Sequence, residues 1–261
     1  MRQPPNAAFA APDGEAPPLL VLSHGGPTSN ASSSLSLERA FWTSRGIAVV
    51  DVDYRGSSGY GRAYREALNG AWGIADVDDC VAAARYLAGL GRVDGRRMAI
   101  AGGSAGGYTT LACLAFRPDV FAAGVSEYGV ADLEALQADT HKFEGRYCDR
   151  LVAPWPAGRE VYRDRSPIHH VGRMRAPMLL LQGLEDRVVP PNQAELIAAA
   201  LDERGIPHAV RYFEGEGHGF RRADTRRAAL AAKLAFLGQV LGFAPADDLP
   251  PLELAGRQRA G

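Results

Sequence analysis

The stretch Met98-Ala99-Ile100-Ala101-Gly102-Gly103-Ser104-Ala105-Gly106-Gly107-Tyr108 restricts the fold of this chain more than any other. A short apolar run predicts a strand over residues 98–101. Residues 109–116 predict a helix. Between them the chain must reverse role within a few residues, around a serine. Gly102 and Gly106 stand two residues either side of Ser104, where side chains of a sharp strand-to-helix turn would collide. Such a turn holds a serine hydroxyl clear of the backbone, in front of a helix N-terminus that favours developing negative charge. A phosphate-binding loop would want Gly-Lys-Ser/Thr at the helix start, and no lysine stands here.

Strands are expected at residues 19–23, 47–54, 98–101, 121–126, 178–182 and 209–213. Helices are expected at 37–45, 76–90, 109–116, 130–138, 192–204 and 223–241, with Asp76 as the cap of the second. Continuously apolar strands that alternate with helices imply a mostly parallel sheet with helices on both faces. The chain has no internal repeat and no interior linker, so one domain over residues 19–243 is the economical reading. Residues 1–18, with Pro4, Pro5, Pro12, Pro17 and Pro18, read as an extended lead-in. Residues 244–261 read as a loose C-terminal tail. Residues 141–165 have weak periodicity and read as a variable cap over the strand ends.

The formal net charge is -1, which gives no electrostatic reason to expect nucleic acid or an anionic membrane as partner. Of 29 basic residues only Lys142 and Lys233 are lysines. The N-terminus lacks the basic-then-apolar order of a signal peptide. Cys80, Cys113 and Cys148 have no metal or redox spacing, and their odd number and wide separation favour a reducing, cytoplasmic compartment.

A serine is a poor nucleophile until a base takes its proton and an acid orients the base. In a parallel sheet these groups collect at the C-terminal ends of strands. Six histidines compete for the role of base. His218, in Glu214-Gly215-Glu216-Gly217-His218-Gly219-Phe220, follows the last strand and precedes the last helix, on a glycine-flanked loop that can reach across the sheet. For the acid, Glu185 and Asp186 both follow the strand at 178–182. Asp186 is preferred, although spacing separates the two poorly. The resulting order Ser104, Asp186, His218 is that of α/β-hydrolases. An oxyanion would need two backbone donors: Ala105, just after the serine, and a glycine of the loop after the first strand, for which Gly26 is preferred over Gly25.

Five motifs together resemble the catalytic domain of the prolyl oligopeptidase family. They are His24-Gly25-Gly26-Pro27, the stretch from Asp53 to Gly61, Gly102-Gly103-Ser104-Ala105-Gly106-Gly107, the stretch from Gln182 to Pro190, and Gly217-His218-Gly219-Phe220. The branch they resemble most is that of acylaminoacyl-peptidases and dipeptidyl-peptidase-like enzymes, over about residues 19–241. The resemblance implies an α/β-hydrolase fold. It implies Ser104, Asp186 and His218 as catalytic triad, which selects Asp186 over Glu185, with Gly26 and Ala105 as oxyanion donors. No catalytic role is carried over to Tyr54 or Arg55. The resemblance departs in one respect: family members carry a β-propeller, and no stretch here reads as one. Six strands are found where the fold usually has eight, so the N-terminal strands are expected to be missing and the chain reads as a truncated catalytic domain. The strand at 19–23 is then expected to have an exposed, adhesive neighbouring edge, through which a homo-oligomer could form.

The expected activity is serine peptidase hydrolysis of short peptides or acyl-peptides through an acyl-enzyme. The alternatives are a carboxylesterase or acyl hydrolase with the same triad, and an inactive truncated domain. This chemistry needs no cofactor and no metal. Tyr128, Phe143, Tyr147 and Trp155 are candidates for lining a substrate slot.

Overall fold

Apolar runs without polar interruption are buried on both sides only where a sheet is covered on both faces. The computed structural model, which describes residues 1–3, 14–139 and 146–256, has this arrangement. Six strands form one sheet: β1 (Leu19–Ser23), β2 (Ala48–Val52), β3 (Met98–Gly103), β4 (Ala123–Glu127), β5 (Met178–Gly183) and β6 (His208–Phe213). Their order is β2-β1-β3-β4-β5-β6, and every neighbouring pair is parallel. Alternate residues feed two separate cores. Leu19, Val21, Ile100 and Leu180 join one, with residues of α3 (Ala75–Gly89), α4 (Ala105–Phe116) and α8 (Asn192–Glu203). Leu20, Ala99, Ala101, Leu179 and Leu181 join the other, with Trp42 of α1 (Leu37–Thr43) and Phe236 and Leu237 of α9 (Ala223–Leu241). This is the α/β-hydrolase architecture with six strands, and all six coincide with expected strands.

Several boundaries and partners differ from the sequence reading, each for a local reason. Helix α4 starts at Ala105 rather than at 109, because the turn at Ser104 uses a single residue and the following glycines are helical. Helix α5 (Leu133–Asp139) starts three residues late. Asp132 Oδ1 accepts from Glu134 N and Ala135 N at 2.8 and 3.1 Å and caps it, while Ala131 N and Asp132 N donate to Gln193 Oε1. Four short elements went unpredicted: α2 (Arg62–Glu66), α6 (Tyr147–Leu151), α7 (Arg159–Arg165) and a 3-10 turn at Pro167–Arg173. Each is too short to show a helical period. The adhesive edge is also displaced. Strand β1 has partners on both sides, and the outer strand is β2. There Arg2 N donates to Val49 O at 2.7 Å and Val49 N returns to Arg2 O at 3.0 Å. Beyond Phe243 the chain packs as far as residue 256. Leu252 is buried, Asp247 pairs with Arg45 at 2.6 Å, and Ala255 exchanges two backbone hydrogen bonds with His208 on β6.

Asp76 is not the cap of α3, whose N-cap is Ile74. It lies in the first turn and is fully buried. Its Oδ1 accepts from Gly73 N and its Oδ2 from Thr109 Oγ1 on α4, both at 2.6 Å. Burial pushes its pKa up to about 6 against the pull of those donors. A folded-state pKa above the unfolded value means that the folded form binds the extra proton. That stability is complete below about pH 4 and lost as pH rises through about 6. Asp76→Asn keeps an acceptor for Gly73 and an N–H for Thr109 Oγ1, and it does not titrate. Between pH 4 and 7 the variant is expected to gain on wild type by on the order of 2–3 kcal/mol. Urea unfolding of both proteins at several pH values checks this, and parallel curves would refute it.

Candidate active site

The strand-to-helix turn at Ser104 is held by contact between backbones. Ser104 has φ 58° and ψ -123°, a positive-φ conformation that costs a non-glycine residue about 1–3 kcal/mol. Its N–H donates to Glu127 O on β4 at 2.9 Å, and its carbonyl accepts from Tyr108 N at 3.0 Å. A Cβ on Gly106 would lie 2.1 Å from Ser23 O, and one on Gly102 would lie 2.4 Å from Ser23 Oγ. Ser23 Oγ in turn donates to Gly106 O at 2.8 Å. The end of β1 is therefore pressed into the turn, and only glycine fits at the two flanking positions.

The other candidates come from the ends of β5 and β6. Asp186 lies in the turn after β5, with its side chain fully enclosed. Its Oδ1 accepts from Val188 N and Val189 N at 2.9 and 3.0 Å. Its Oδ2 meets His218 Nδ1 at 2.8 Å. Glu185, the alternative, faces solvent. His218 Nε2 lies 2.9 Å from Ser104 Oγ. A carboxylate at Nδ1 sets the proton there, which leaves Nε2 to accept from the serine hydroxyl. The loop carrying His218 is closed by Glu216, a buried residue whose carboxylate accepts from Arg221 N and Arg222 N, both at 2.9 Å. Burial would raise the Glu216 pKa, but those donors outweigh it and hold the carboxyl below its usual range. The ring of Tyr128, a second residue with positive φ, stands edge-on to His218 with centroids 4.9 Å apart, and Phe220 backs it at 5.2 Å. Sequence reasoning missed Glu216 and the part Tyr128 plays. The spacing of Glu216 ahead of α9 is the signal that could have pointed to the first.

The loop after β1 brings Gly25 and Gly26 to the same place. A Cβ on Gly25 would lie 3.3 Å from Gly103 O and 3.6 Å from Ser104 Cβ. Gly26 has φ 118°, and a Cβ there would lie 2.7 Å from Ser29 N. Tyr54 Oη donates to His24 O at 2.8 Å and its ring stacks on His24, so the Asp53–Gly61 segment supports this loop from below. Arg55 points the other way and pairs with Asp79 of α3 at 2.9 Å. Tyr147 Oη donates to Gly26 O at 3.1 Å. Ala105 is the first residue of α4, where backbone N–H groups lack intrahelical acceptors. Trp155 is partly buried and packs edge-on against Tyr162. Phe143 and His141 lie outside the described residues. Of the described histidines, His218 is the one bonded to Ser104: His208 and His170 bond to backbone carbonyls, and His24 bonds to Ser57. Among the described residues no cluster of His, Cys, Asp and Glu has the form of a metal site, and no helix is long and apolar enough to cross a membrane.

The pattern that characterises the prolyl oligopeptidase family matches residues 33–244. Dipeptidyl aminopeptidase BIII of Pseudoxanthomonas mexicana is 34% identical over 246 residues, 91% of this chain and 36% of that protein. A puromycin-hydrolyzing peptidase of Mycobacterium tuberculosis superposes with a TM-score of 0.95 at 50% identity, over 97% of this chain and 38% of the other. The acylaminoacyl peptidase of Pyrococcus horikoshii superposes with a TM-score of 0.83 at 26% identity, over 90% of this chain and 39% of the other. The chain thus spans little more than a third of the length of these relatives. With the fold, the family pattern and these likenesses in agreement, the chain belongs to the prolyl oligopeptidase family.

Proposed function

We propose that residues 19–243 form a serine peptidase unit that hydrolyses short peptides and aminoacyl amides through an acyl-enzyme on Ser104. The observation that carries this reading is the unbroken chain from Ser104 Oγ to His218 Nε2 and from His218 Nδ1 to Asp186 Oδ2, at 2.9 and 2.8 Å. His218 takes the hydroxyl proton as Oγ attacks the substrate carbonyl. Asp186 stabilises the imidazolium that forms. The tetrahedral oxyanion lies between the N–H groups of Gly26 and Ala105, at the N-terminus of α4, where the helix dipole favours negative charge. His218 then gives its proton to the leaving amine. Water, activated by the same imidazole, releases the acyl group and restores Ser104. The likeness to a puromycin-hydrolyzing peptidase, at 50% identity, supports amides of amino acids as the substrate class. Cys80 and Cys113 are free and buried, which suits a reducing, cytoplasmic setting.

A fluorophosphonate probe tests the proposal. Peptide mapping should place the adduct on Ser104, and the same protein should cleave aminoacyl amides faster than short-chain esters. Preference for the esters would turn the reading to an acyl hydrolase. A folded chain that takes up no probe would overturn it.

A further inference from the structure

Lys233 is one of two lysines among 29 basic residues, and it is buried in the middle of α9, with a side chain only 6% exposed. Its ammonium donates to Glu127 Oε1 at 2.7 Å and to Glu38 Oε1 at 2.8 Å. Burial by itself would lower its pKa. The two carboxylates outweigh that and hold it above the ordinary lysine range, so the group is charged. A compact ammonium on a flexible stem meets two carboxylates from two other elements, where a planar guanidinium would need a wider space.

Glu127 is the last residue of β4, and its surroundings connect it to both halves of the site. Its carbonyl accepts the N–H of Ser104. The next residue, Tyr128, bonds through its N–H to Leu181 O at 2.7 Å and stands edge-on to His218. Helix α9 itself begins five residues after His218. A cavity of about 240 Å³ lies against Glu127, Glu38, Lys233, Trp42 and Gly103. Close packing therefore does not confine the Glu127 side chain on that side, and the ion pair is what holds it.

We propose that Lys233 is a positioning residue: by clamping Glu127 it fixes the end of β4, and with it the alignment of Ser104 and His218. This rests on the reading of Ser104 as nucleophile. Without the ammonium, the Glu127 carboxylate is left mostly enclosed and without its cation beside an empty space. The Glu127–Tyr128 segment can then shift toward water, carrying the acceptor of the Ser104 N–H and the ring against His218.

The test compares the full chain with Lys233→Met and Glu127→Gln. Lys233 bonds to Glu38 and Glu127 and to none of Ser104, Asp186 and His218, so Lys233→Met should act through alignment and lower kcat by about tenfold to a hundredfold, the loss that follows a misplacement of about 1 Å, with KM nearly unchanged. The rate of fluorophosphonate labelling should fall in parallel. Glu127→Gln should lose less, because its amide oxygen still accepts from the lysine. The downfield proton NMR signal of the His218 Nδ1–H should shift or broaden in Lys233→Met. A cooperative melt with unchanged kcat, or a loss confined to KM, would overturn the proposal. If Lys233→Met does not fold, Glu127→Ala, which removes the clamped carboxylate altogether, takes its place, and wild-type kcat with an unmoved His218 signal in that variant would overturn the proposal equally. An inactive wild type would count against the nucleophile reading alone, since the His218 signal reports on the clamp without turnover.

Discussion

Ser104→Ala is expected to lower kcat for peptide hydrolysis by about 10⁶-fold while leaving the thermal melt close to that of wild type. The hydroxyl is the only group removed. It makes a single contact that matters here, to His218 Nε2, and no backbone bond of the turn depends on it. Alanine carries the same Cβ as serine, so the positive-φ strain and the close fit of Gly102 and Gly106 against Ser23 are unchanged. The oxyanion donors proposed at Gly26 and Ala105 would remain, and with them a residual acceleration of about 10³-fold over water is expected. Steady-state kinetics beside a melting curve checks the claim. Retained turnover in the variant would remove Ser104 from the mechanism.

Asp186→Asn is expected to cost about 10⁴-fold in kcat. The reason lies in how the loop already uses the side chain. Oδ1 accepts from the N–H groups of Val188 and Val189 and must remain an acceptor. An asparagine oxygen is therefore held on those two donors, and its NH₂ is turned toward His218 Nδ1. Facing a donor, Nδ1 becomes the acceptor and the proton moves to Nε2, where the ring can no longer take the proton of Ser104. The substitution preserves shape and fixes the wrong tautomer. KM and the melt should change little, since the cost falls on proton transfer. An activity within about tenfold of wild type would mean that the amide flips at the expense of the Val188 and Val189 bonds.

Much of this was legible in the residues, for physical reasons. Six apolar runs made six strands because helices cover both faces of the sheet, so Leu19 to Val21 could be read as buried without an alternating pattern. Ser104 and His218 were readable because glycines on both sides marked turns that deliver a side chain to the strand ends. Asp186 was separable from Glu185 only by resemblance. The structure adds the physical difference: one carboxylate is enclosed by backbone donors and the other faces water. What stayed hidden depends on contacts distant in sequence. Glu127 and Lys233 are 106 positions apart and Asp76 and Thr109 are 33 apart, and no local pattern signals either pair. The place of the edge next to β1 could not be read either, since strand order is a property of the sheet: the second strand in the chain, not the first, became the outer one on that side.

The turn at Ser104 has a consequence for how such a chain can diversify. On the side of β1 and β4 it is packed without room for a side chain: Gly102 meets the Ser23 hydroxyl, Gly106 meets the Ser23 backbone, and Gly107 meets Gly129, where a Cβ would lie 2.6 Å from the Cα opposite. Side chains are the medium in which selection works, and the glycines offer none to exchange, while the hydroxyls of Ser23 and Ser126 are committed to Gly106 O and Gly107 O. The position of the Ser104 hydroxyl can therefore be kept or lost through these positions but not retuned by them. New substrate preferences in descendants of this chain would have to be written elsewhere, in the loop around Gly26 and in the short helices between Tyr128 and Arg165, where chemistry can vary without disturbing the geometry of attack.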